Sequence, residues 1–416
     1  MQKYIQTLKG TKDLLDLEIL KHDYVINHFS KICGFFCFRK IATPLIENVN
    51  VFSKSLGERS DIISKEMYNF VDQGGDSIIL RPEGTAAVCR ALISNSLQDN
   101  EIKKFFYSGP MFRREKPQSG RLRQFHQVGI ESFGELNFLH DLESIMIAEK
   151  FLSELGIRNS LQLEINTLGN SISRNKYNKV LKNFFYDNKK NLSEESKRRL
   201  DKNPLRILDS KDSKDKQIVV NSPKIYDYLD TESKDFFEKL IIGLNDLKIN
   251  YKINPNLVRG LDYYSHTAFE YASFVSKRQN TILAGGRYDG LVESLGGKSI
   301  GGVGWAAGIE RILLSMQKKF NKKKIISFFC INDERNKDML SILDKLKTDL
   351  TCKVYFINSG NVKKKFSRAN KIGSSGCIIL GDEEWAKKML IWKDFLTGKQ
   401  ESFMANKINN FLKELI

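Results

Sequence analysis

Three clusters in the 416-residue chain combine residue types and spacings that could do chemistry. The first is Leu80-Arg81-Pro82-Glu83-Gly84-Thr85, at the end of an expected strand. Glu83 offers a carboxylate and Thr85 a hydroxyl, on a turn shaped by Pro82 and Gly84. Such a pair suits the ammonium group of a small ligand. The same residues could equally cap a helix N-terminus. The second cluster runs from Gly109 to Gln127, where Arg113, Arg114, Lys116, Arg121 and Arg123 crowd a loop between two expected strands. Arginine forks pair bidentately with phosphate or carboxylate. Beyond the loop, Gln127, Gly129 and Glu131 fall on one face of a strand. Gly129 leaves room there for a ligand. Glu131 on an apolar strand needs a reason, because carboxylates are rarely buried without a partner.

The third cluster is Leu257-Val258-Arg259-Gly260-Leu261-Asp262-Tyr263-Tyr264, with the glycine-rich stretches 284–290 and 301–308 behind it. Glycine strands let a flat ring lie close to backbone. Arg311 opens a following helix that would hold its guanidinium over that surface. Arg113, Arg259 and Arg311 with a glycine floor suggest nucleotide triphosphate binding without a P-loop. An ammonium-binding carboxylate beside them suggests an amino acid as second substrate. Two motifs mislead. Gly297-Lys298-Ser299 resembles the end of a P-loop, but Val292 stands where its first glycine belongs. Gly302-x-Gly304-x-x-Ala307 resembles a dinucleotide fingerprint without the βαβ unit that would give it meaning.

The elements that must position these residues follow from periodicity. Residues 17–33 and 141–155 have helical spacing. Strands are expected at 38–47 (with Pro44 inside), 76–81, 105–108, 125–131 and 161–166, where Leu161, Leu163 and Ile165 alternate. Residues 171–250 are lysine-rich and helical. Strand-like material returns near 251 and ends in the helix GIERILLSMQ. KKFNKKK at 318–324 reads as a linker. After it strand and helix alternate, which suggests a small α/β domain with a partly parallel sheet. The fold class is therefore α+β: a mainly antiparallel body at 1–325 with a helical insertion at 171–250, followed by an α/β domain at 326–416.

Charge draws the same boundaries. The net charge is +17, and residues 171–216 carry 14 basic against 7 acidic side chains, residues 322–416 19 against 11. A near-neutral body with two basic appendages suits a large polyanion held at separate places, RNA first among candidates. No apolar run approaches the ~18 residues of a membrane span, and the polar N-terminus is no secretory signal, so a cytoplasmic chain with no membrane partner is expected. The six cysteines are scattered. Cys33 and Cys37 with His22 and His28 fit no common zinc spacing, and both thiols are expected to be buried.

The residues match a known pattern. The chain resembles the bacterial histidyl-tRNA synthetases, which are class II aminoacyl-tRNA synthetases, over essentially its whole length. IATPLIE is similar to class II motif 1, FRREKPQSGRLRQFHQ to motif 2 and GVGWAAGIER to motif 3. LVRGLDYY and AGGRYDGL resemble the two signatures peculiar to the histidine enzymes; KGTKDLL, ISKEMYNF and LRPEGT agree.

The resemblance implies a class II antiparallel sheet flanked by helices, and a homodimer with motif 1 at its interface. It implies activation of L-histidine by ATP to the adenylate, then transfer to histidine tRNA. Glu83, Thr85 and Gln127 would hold the α-ammonium, with Gly84 and Tyr263 also in the histidine site. Glu131 and Tyr264 would read the two imidazole nitrogens, and Tyr288 would complete the pocket wall. Arg113 would grip the α-phosphate of ATP, Arg121 would assist with the nucleotide, and Arg311 would take the γ-phosphate. Arg259 would stabilise charge as the histidine carboxylate attacks phosphorus. Mg²⁺ would ride on the ATP phosphates, with no metal held by the protein. Lys116 and Gln118 would meet the tRNA acceptor end, the insertion would lie on the acceptor arm, and 326–416 would bind the anticodon.

Some positions depart from the pattern: Lys116 stands where arginine is usual, and Trp305 replaces a phenylalanine expected under the nucleotide. Two rivals fare worse. A regulatory subunit of ATP phosphoribosyltransferase resembles the catalytic body but lacks the tail and erodes the Arg259 segment; here both are intact. A pure RNA-binding scaffold leaves Glu83, Glu131 and Arg259 without a role.

Overall fold

A computed structural model describes residues 4–56, 66–99, 101–259, 263–274 and 281–415. Gly260, Leu261 and Asp262 of the LVRGLDYY stretch, and the first three residues of ISKEMYNF, lie outside the described residues. The chain divides into two compact units, Met1–Lys319 and Phe320–Ile416, a boundary inside the lysine-rich segment read as a linker.

The strands of the first unit, in chain order, are β1 (Arg39–Lys40), β2 (Ile46–Asn48), β3 (Tyr68–Val71), β4 (Ser77–Leu80), β5 (Lys103–Phe112), β6 (Gln124–Gly134), β7 (Leu161–Thr167), β8 (Tyr251–Ile253), β9 (Ser265–Ser273), β10 (Thr281–Arg287) and β11 (Gly301–Gly308). Eight of them form one sheet in the order β1-β5-β6-β11-β10-β9-β7-β8. Its pairings are antiparallel except β1 with β5 and β7 with β8. A three-stranded sheet, β2-β4-β3, carries the turn that leads into Glu83.

The helices are α1 (Leu17–Phe35), α2 (Val49–Leu56), α3 (Thr85–Ser94), α4 (Phe138–Glu154), the group α5 (Ser171–Asp187), α6 (Glu194–Lys202), α7 (Leu205–Leu208), α8 (Ser213–Val219) and α9 (Thr231–Asp246), then α10 (Leu291–Ser294) and α11 (Ile309–Ser315). Helical spacing in α1 buries Val25, Phe29, Ile32 and Cys33 on one side. Asn137 starts α4 by accepting from the Leu139 N–H, inside a capping box with His140. Leu161, Leu163 and Ile165 all turn into the core under the large sheet, as their alternation requires. A second apolar cluster joins β5, β6 and the helices α5 to α8 to Tyr264 and Tyr288, so the insertion shares a core with the candidate site.

The structure differs from expectation in three places. The stretch 38–47 is two short strands in two different sheets. Pro44 lacks the N–H that a continuous ladder would use, and the chain changes sheets there. Cys37 is exposed, with φ of 60° at the end of α1, although Cys33 is buried. The end of the chain also continues past the last expected strand.

That second unit holds β12 (Ile325–Cys330), α12 (Asn336–Asp344), β13 (Lys353–Phe356), α13 (Val362–Lys371), β14 (Ser374–Leu380), α14 (Asp382–Ala386), β15 (Met389–Asp394), β16 (Gln400–Met404) and α15 (Ile408–Glu414). Its sheet runs β13-β12-β14-β15-β16, parallel across the first three strands and antiparallel after. Ile326, Phe328, Ile378, Leu380, Leu390 and Trp392 give it a core of its own. Residues 320–416 expressed alone are therefore expected to unfold cooperatively on heating, followed by circular dichroism. A broad, non-cooperative melt would mean that this core is incomplete without the rest of the chain.

Candidate functional site

The turn after β4 places Glu83 against the N-terminus of α3. Its Oε2 accepts the Thr85 N–H at 2.7 Å and its Oε1 the Ala86 N–H at 2.8 Å. The capping role is thus real, and it fixes a buried carboxylate at the positive end of a helix. Burial raises the Glu83 pKa, against those two N–H bonds. Thr85 turns its hydroxyl the other way and donates to Glu131 Oε1 at 2.7 Å. The Tyr107 hydroxyl lies 3.4 Å from the same oxygen, and the Tyr288 hydroxyl donates to Glu131 Oε2. Glu131 is wholly buried on β6. Burial pushes its carboxyl up to about 8; the bonds from Thr85 and Tyr288 resist the shift and the charge of Glu83 adds to it.

The glycines have a different use from the one expected. A Cβ on Gly129 would sit 2.4 Å from the Tyr107 hydroxyl, so the gap over Gly129 is filled by Tyr107 and not by a ligand. A Cβ on Gly304 would lie 2.1 Å from Glu131 Oε2, and one on Gly302 would lie 2.3 Å from the Tyr288 ring. Register explains this, because Gly304 pairs with Glu131 across β11 and β6. The glycine floor therefore makes space for protein side chains. Trp305 also departs from expectation. Its indole is 2% exposed in the core, stacked on Phe151 at 6.0 Å, and its Nε1–H donates to the Ser144 carbonyl at 3.0 Å. Side chains alternate across a strand, so the neighbours Ala306 and Gly308 share the Glu131 side and the Trp305 ring points to the other. Tyr288 stands behind Glu131, and neither residue reaches the open cavity, so Tyr288 is not a wall residue here.

That cavity has a volume of about 1230 Å³. Glu83, Thr85, Gln127, Tyr263 and Tyr264 line it together with Arg113, Arg121, Arg259 and Arg311. Arg113 donates from Nε to the Pro82 carbonyl at 2.9 Å and lies 5.3 Å over the Phe125 ring. Arg121 meets Glu115 at 2.5 Å. Arg311 donates to the carbonyls of Gly120, at 3.3 Å, and Thr281, at 2.8 Å. Burial lowers the Arg311 pKa, and Arg121 and Arg113 lower it further. Three guanidiniums close enough for Arg121 and Arg113 to depress the Arg311 pKa make a place where an anion is favoured. Arg259 sits 3.0 Å from Glu270 and 5.8 Å from the Tyr264 ring centroid. Gln127 Oε1 is buried and has no hydrogen-bond partner among the described residues, which leaves it free for a donor from a ligand. Lys116 and Gln118 are exposed at the loop tip, away from the cavity lining; Gln118 only bridges to Arg121.

Sequence reasoning missed Tyr107, Glu115 and Glu270. Glu270 carried a signal, as a lone charge in the apolar run AFEYAS. Tyr107 carried none, since its role appears only once Gly84 and Gly129 meet it in space.

Among the described residues one group could hold a metal: His22, His126 and Glu310, with ligand atoms within 4.8 Å of one another. Both Glu310 oxygens already accept the His126 N–H at 3.0 Å, and Oε1 meets the His126 ring nitrogen at 3.0 Å. Hydrogen bonding accounts for the arrangement, which ties β6 to the start of α11. Mixed carboxylates and basic groups, including Glu194, Arg199, Arg206 and Lys216 of the insertion, line the far side of the cavity.

Residues 10–312 match the family model described as histidyl-tRNA synthetase. A histidine–tRNA ligase of Gluconobacter oxydans is 43% identical over 397 residues, 95% of each chain. One from Wolbachia pipientis wMel is 44% identical over 396 residues, covering 95% of this chain and 96% of the relative. The crystal structure of the apo S. aureus histidyl-tRNA synthetase superposes with a TM-score of 0.79 at 31% identity, covering 99% of this chain and 100% of that one.

The Glu131 shift has a consequence for stability. Its carboxyl titrates near 4.5 when unfolded and about 8 when folded. The folded state holds the extra proton between those values, so this contribution is full below 4.5 and is lost as pH rises through 8. The protein without ligand is therefore expected to lose thermal stability between about pH 5 and 8, with a slope of up to about 1.4 kcal/mol per pH unit that levels off above 8. Glu131→Gln should flatten that slope; melts of the variant and the parent with equal slopes would refute the assignment.

Proposed function

We infer the chemistry from a plain premise: the chain belongs to the histidyl-tRNA synthetase family. Its activity is histidine–tRNA ligation, and the enzyme is an aminoacyl-tRNA synthetase. The reaction has two steps. A histidine carboxylate oxygen attacks the α-phosphorus of ATP, the bond to the β-phosphate oxygen breaks, and pyrophosphate leaves with the electron pair. A hydroxyl at the tRNA 3′ end then attacks the acyl carbon and AMP leaves.

The single observation that carries the residue assignment is the polarity of the cavity. Carboxylates linked through Thr85 stand beside a group of arginines, which fits an ammonium at one end and phosphates at the other. Glu83, Gly84, Thr85 and the unpartnered Gln127 hold the α-ammonium. Glu131 and Tyr264 read the imidazole; because Glu131 is sealed from the cavity, the tyrosines around it must part for the ring to enter. Tyr263 lines the entrance, and Tyr288 acts from behind, through Glu131. Such a site rejects side chains that leave its buried polar groups unpaired.

Arg113 takes the α-phosphate, Arg121 supports the nucleotide, and Arg311 takes the γ-phosphate. Arg259 exchanges Glu270 for the phosphate as charge builds there, the role of a preorganised donor. Mg²⁺ arrives as part of the MgATP substrate. The nearby carboxylates Glu115 and Glu270 are occupied by Arg121 and Arg259, which leaves a poor donor set for a protein-held ion.

At the periphery, Lys116 and Gln118 meet the tRNA acceptor end from their exposed loop tip. The helical insertion lies on the acceptor arm, and the C-terminal unit takes the anticodon. The working form is a homodimer. Exposed Leu45, Ile46, Phe70 and Val71 on and beside β2 and β3 supply an apolar face next to motif 1. No described helix is long and apolar enough to cross a membrane, and we assign the enzyme to the cytoplasm by its family.

Histidine-dependent exchange of pyrophosphate with ATP, across a panel of amino acids and without tRNA, tests this reading. Exchange with histidine alone is expected; exchange with no amino acid from a folded dimer would overturn it. Arg259→Ala should lower adenylate formation by roughly 10²-fold without unfolding the protein, and activity near that of the parent would remove Arg259 from the chemistry. Deleting residues 320–416 should cut tRNA charging far more than exchange, whereas equal losses would deny the C-terminal unit a tRNA-specific role.

A further inference from the structure

Tyr107 belongs to none of the motifs and does not line the cavity, yet two glycines and the Glu131 carboxylate of the site meet at it. It is buried on β5, where it pairs with Gly129 of β6. A Cβ on Gly129 would come within 2.4 Å of its hydroxyl, and a Cβ on Gly84 within 2.2 Å of its ring. Neither glycine has a φ in the left-handed region, so no backbone conformation demands glycine at either position. What both positions do require is space for one tyrosine. Gly84 lies between Glu83 and Thr85, and Gly129 lies two residues before Glu131. The ring thus wedges the ammonium-binding turn apart from the imidazole-reading strand.

The hydroxyl completes the arrangement. It lies 3.4 Å from Glu131 Oε1, the same oxygen that accepts from Thr85 Oγ1 at 2.7 Å. Tyr288 holds the other oxygen. A carboxylate gripped by donors from three elements has one rotamer open to it, and its free lone pair then points one way.

We propose that Tyr107 is a positioning residue for histidine recognition: it sets the distance between the two carboxylate stations and aims Glu131 at the imidazole. The inference rests on the proposed reading of the site. An amino acid whose ring is one methylene from Cα needs the two stations at a fixed separation. A ring wedged between two glycines is a stiffer spacer than a flexible side chain.

Removing only the hydroxyl isolates the effect. Tyr107→Phe keeps the ring between the glycines and removes one donor to the ionised form of Glu131. The groups facing Glu131 are Glu83, Cys89, Tyr107, Tyr263, Tyr264 and Tyr288. Only Tyr107 changes, so loss of its donation raises the pH at which Glu131 ionises.

The experiment is ATP–pyrophosphate exchange on the full chain between pH 6 and 9, with histidine and ATP varied separately. Tyr107→Phe should raise KM for histidine about tenfold, as expected for losing one buried bond to a charged group. KM for ATP should stay within about twofold, and the acid limb of kcat/KM for histidine should move upward by about half a pH unit. Gly129→Ala, which drives Tyr107 out of its slot, should move the same limb in the same direction. A fall in kcat with an unmoved limb, or equal rises in both KM values, would make Tyr107 merely structural and overturn the proposal. Absence of histidine-dependent exchange in the unaltered chain would overturn the functional reading, and this inference with it.

Discussion

One buried carboxylate organises the site. Glu131 has no exposed surface, and nothing around it carries a compensating positive charge within its own hydrogen-bond set. A carboxylate in that position is costly unless donors surround it. The fold supplies them from three separate elements: Thr85 at the head of α3, Tyr107 on β5 and Tyr288 after β10. Each donor needs room, and the room comes from glycine at 84, 129, 302 and 304. The glycine pattern is therefore a consequence of Glu131. Replacing any one of these glycines would press on a donor of that carboxylate or on the carboxylate itself.

The other end of the cavity has the opposite problem. Arg113, Arg121 and Arg311 repel one another, and burial lowers the pKa of Arg311. Backbone carbonyls of Pro82, Gly120 and Thr281 hold the guanidiniums in place but do not neutralise them. Glu115 offsets part of the charge. On the proposed reading a polyanionic ligand supplies the rest, and the carboxylates and guanidiniums that line the cavity are balanced when an ammonium and a phosphate chain bind together.

How much of this was legible depends on what kind of interaction carries each feature. Strand β7 was readable because Leu161, Leu163 and Ile165 alternate, and α1 because its apolar residues recur at helical spacing; both are local patterns. Glu131 was legible as a site candidate because a carboxylate on an apolar strand needs a partner, whereas Glu83, Arg113 and Arg311 stood out only in combination with one another and with the family resemblance. Tyr107 was not readable, since its partners lie 23 residues before it and 22 after it in the chain. Trp305 misled for the opposite reason. It sits inside the right motif, but strand alternation turns it away from the ligand. Pro44 stands inside a stretch expected as one strand, and it marks the point where the chain changes sheets. The hairpin of β15 and β16 escaped because the apolar part of MLIWKD is a short run with no alternation, and QESFM on the exposed edge strand is mostly polar.

On the proposed reading, the Arg259–Glu270 pair lets the catalytic cation be both fixed and available. A half-buried guanidinium with no anion would draw in water or an adventitious ion. A fully buried ion pair would resist exchange, because separating its charges costs several kcal/mol. The pair here lies between these limits: both side chains are 18% exposed, and Glu270 has a second donor in the Thr281 hydroxyl at 3.1 Å. Glu270 can therefore release Arg259 to a phosphate without being left unbonded. Arg259 Nε is buried and has no hydrogen-bond partner among the described residues, so one of its donors is not yet used. On the proposed reading the cation that stabilises the transition state is held by Glu270 of β9, and the arriving phosphate competes with that carboxylate for it.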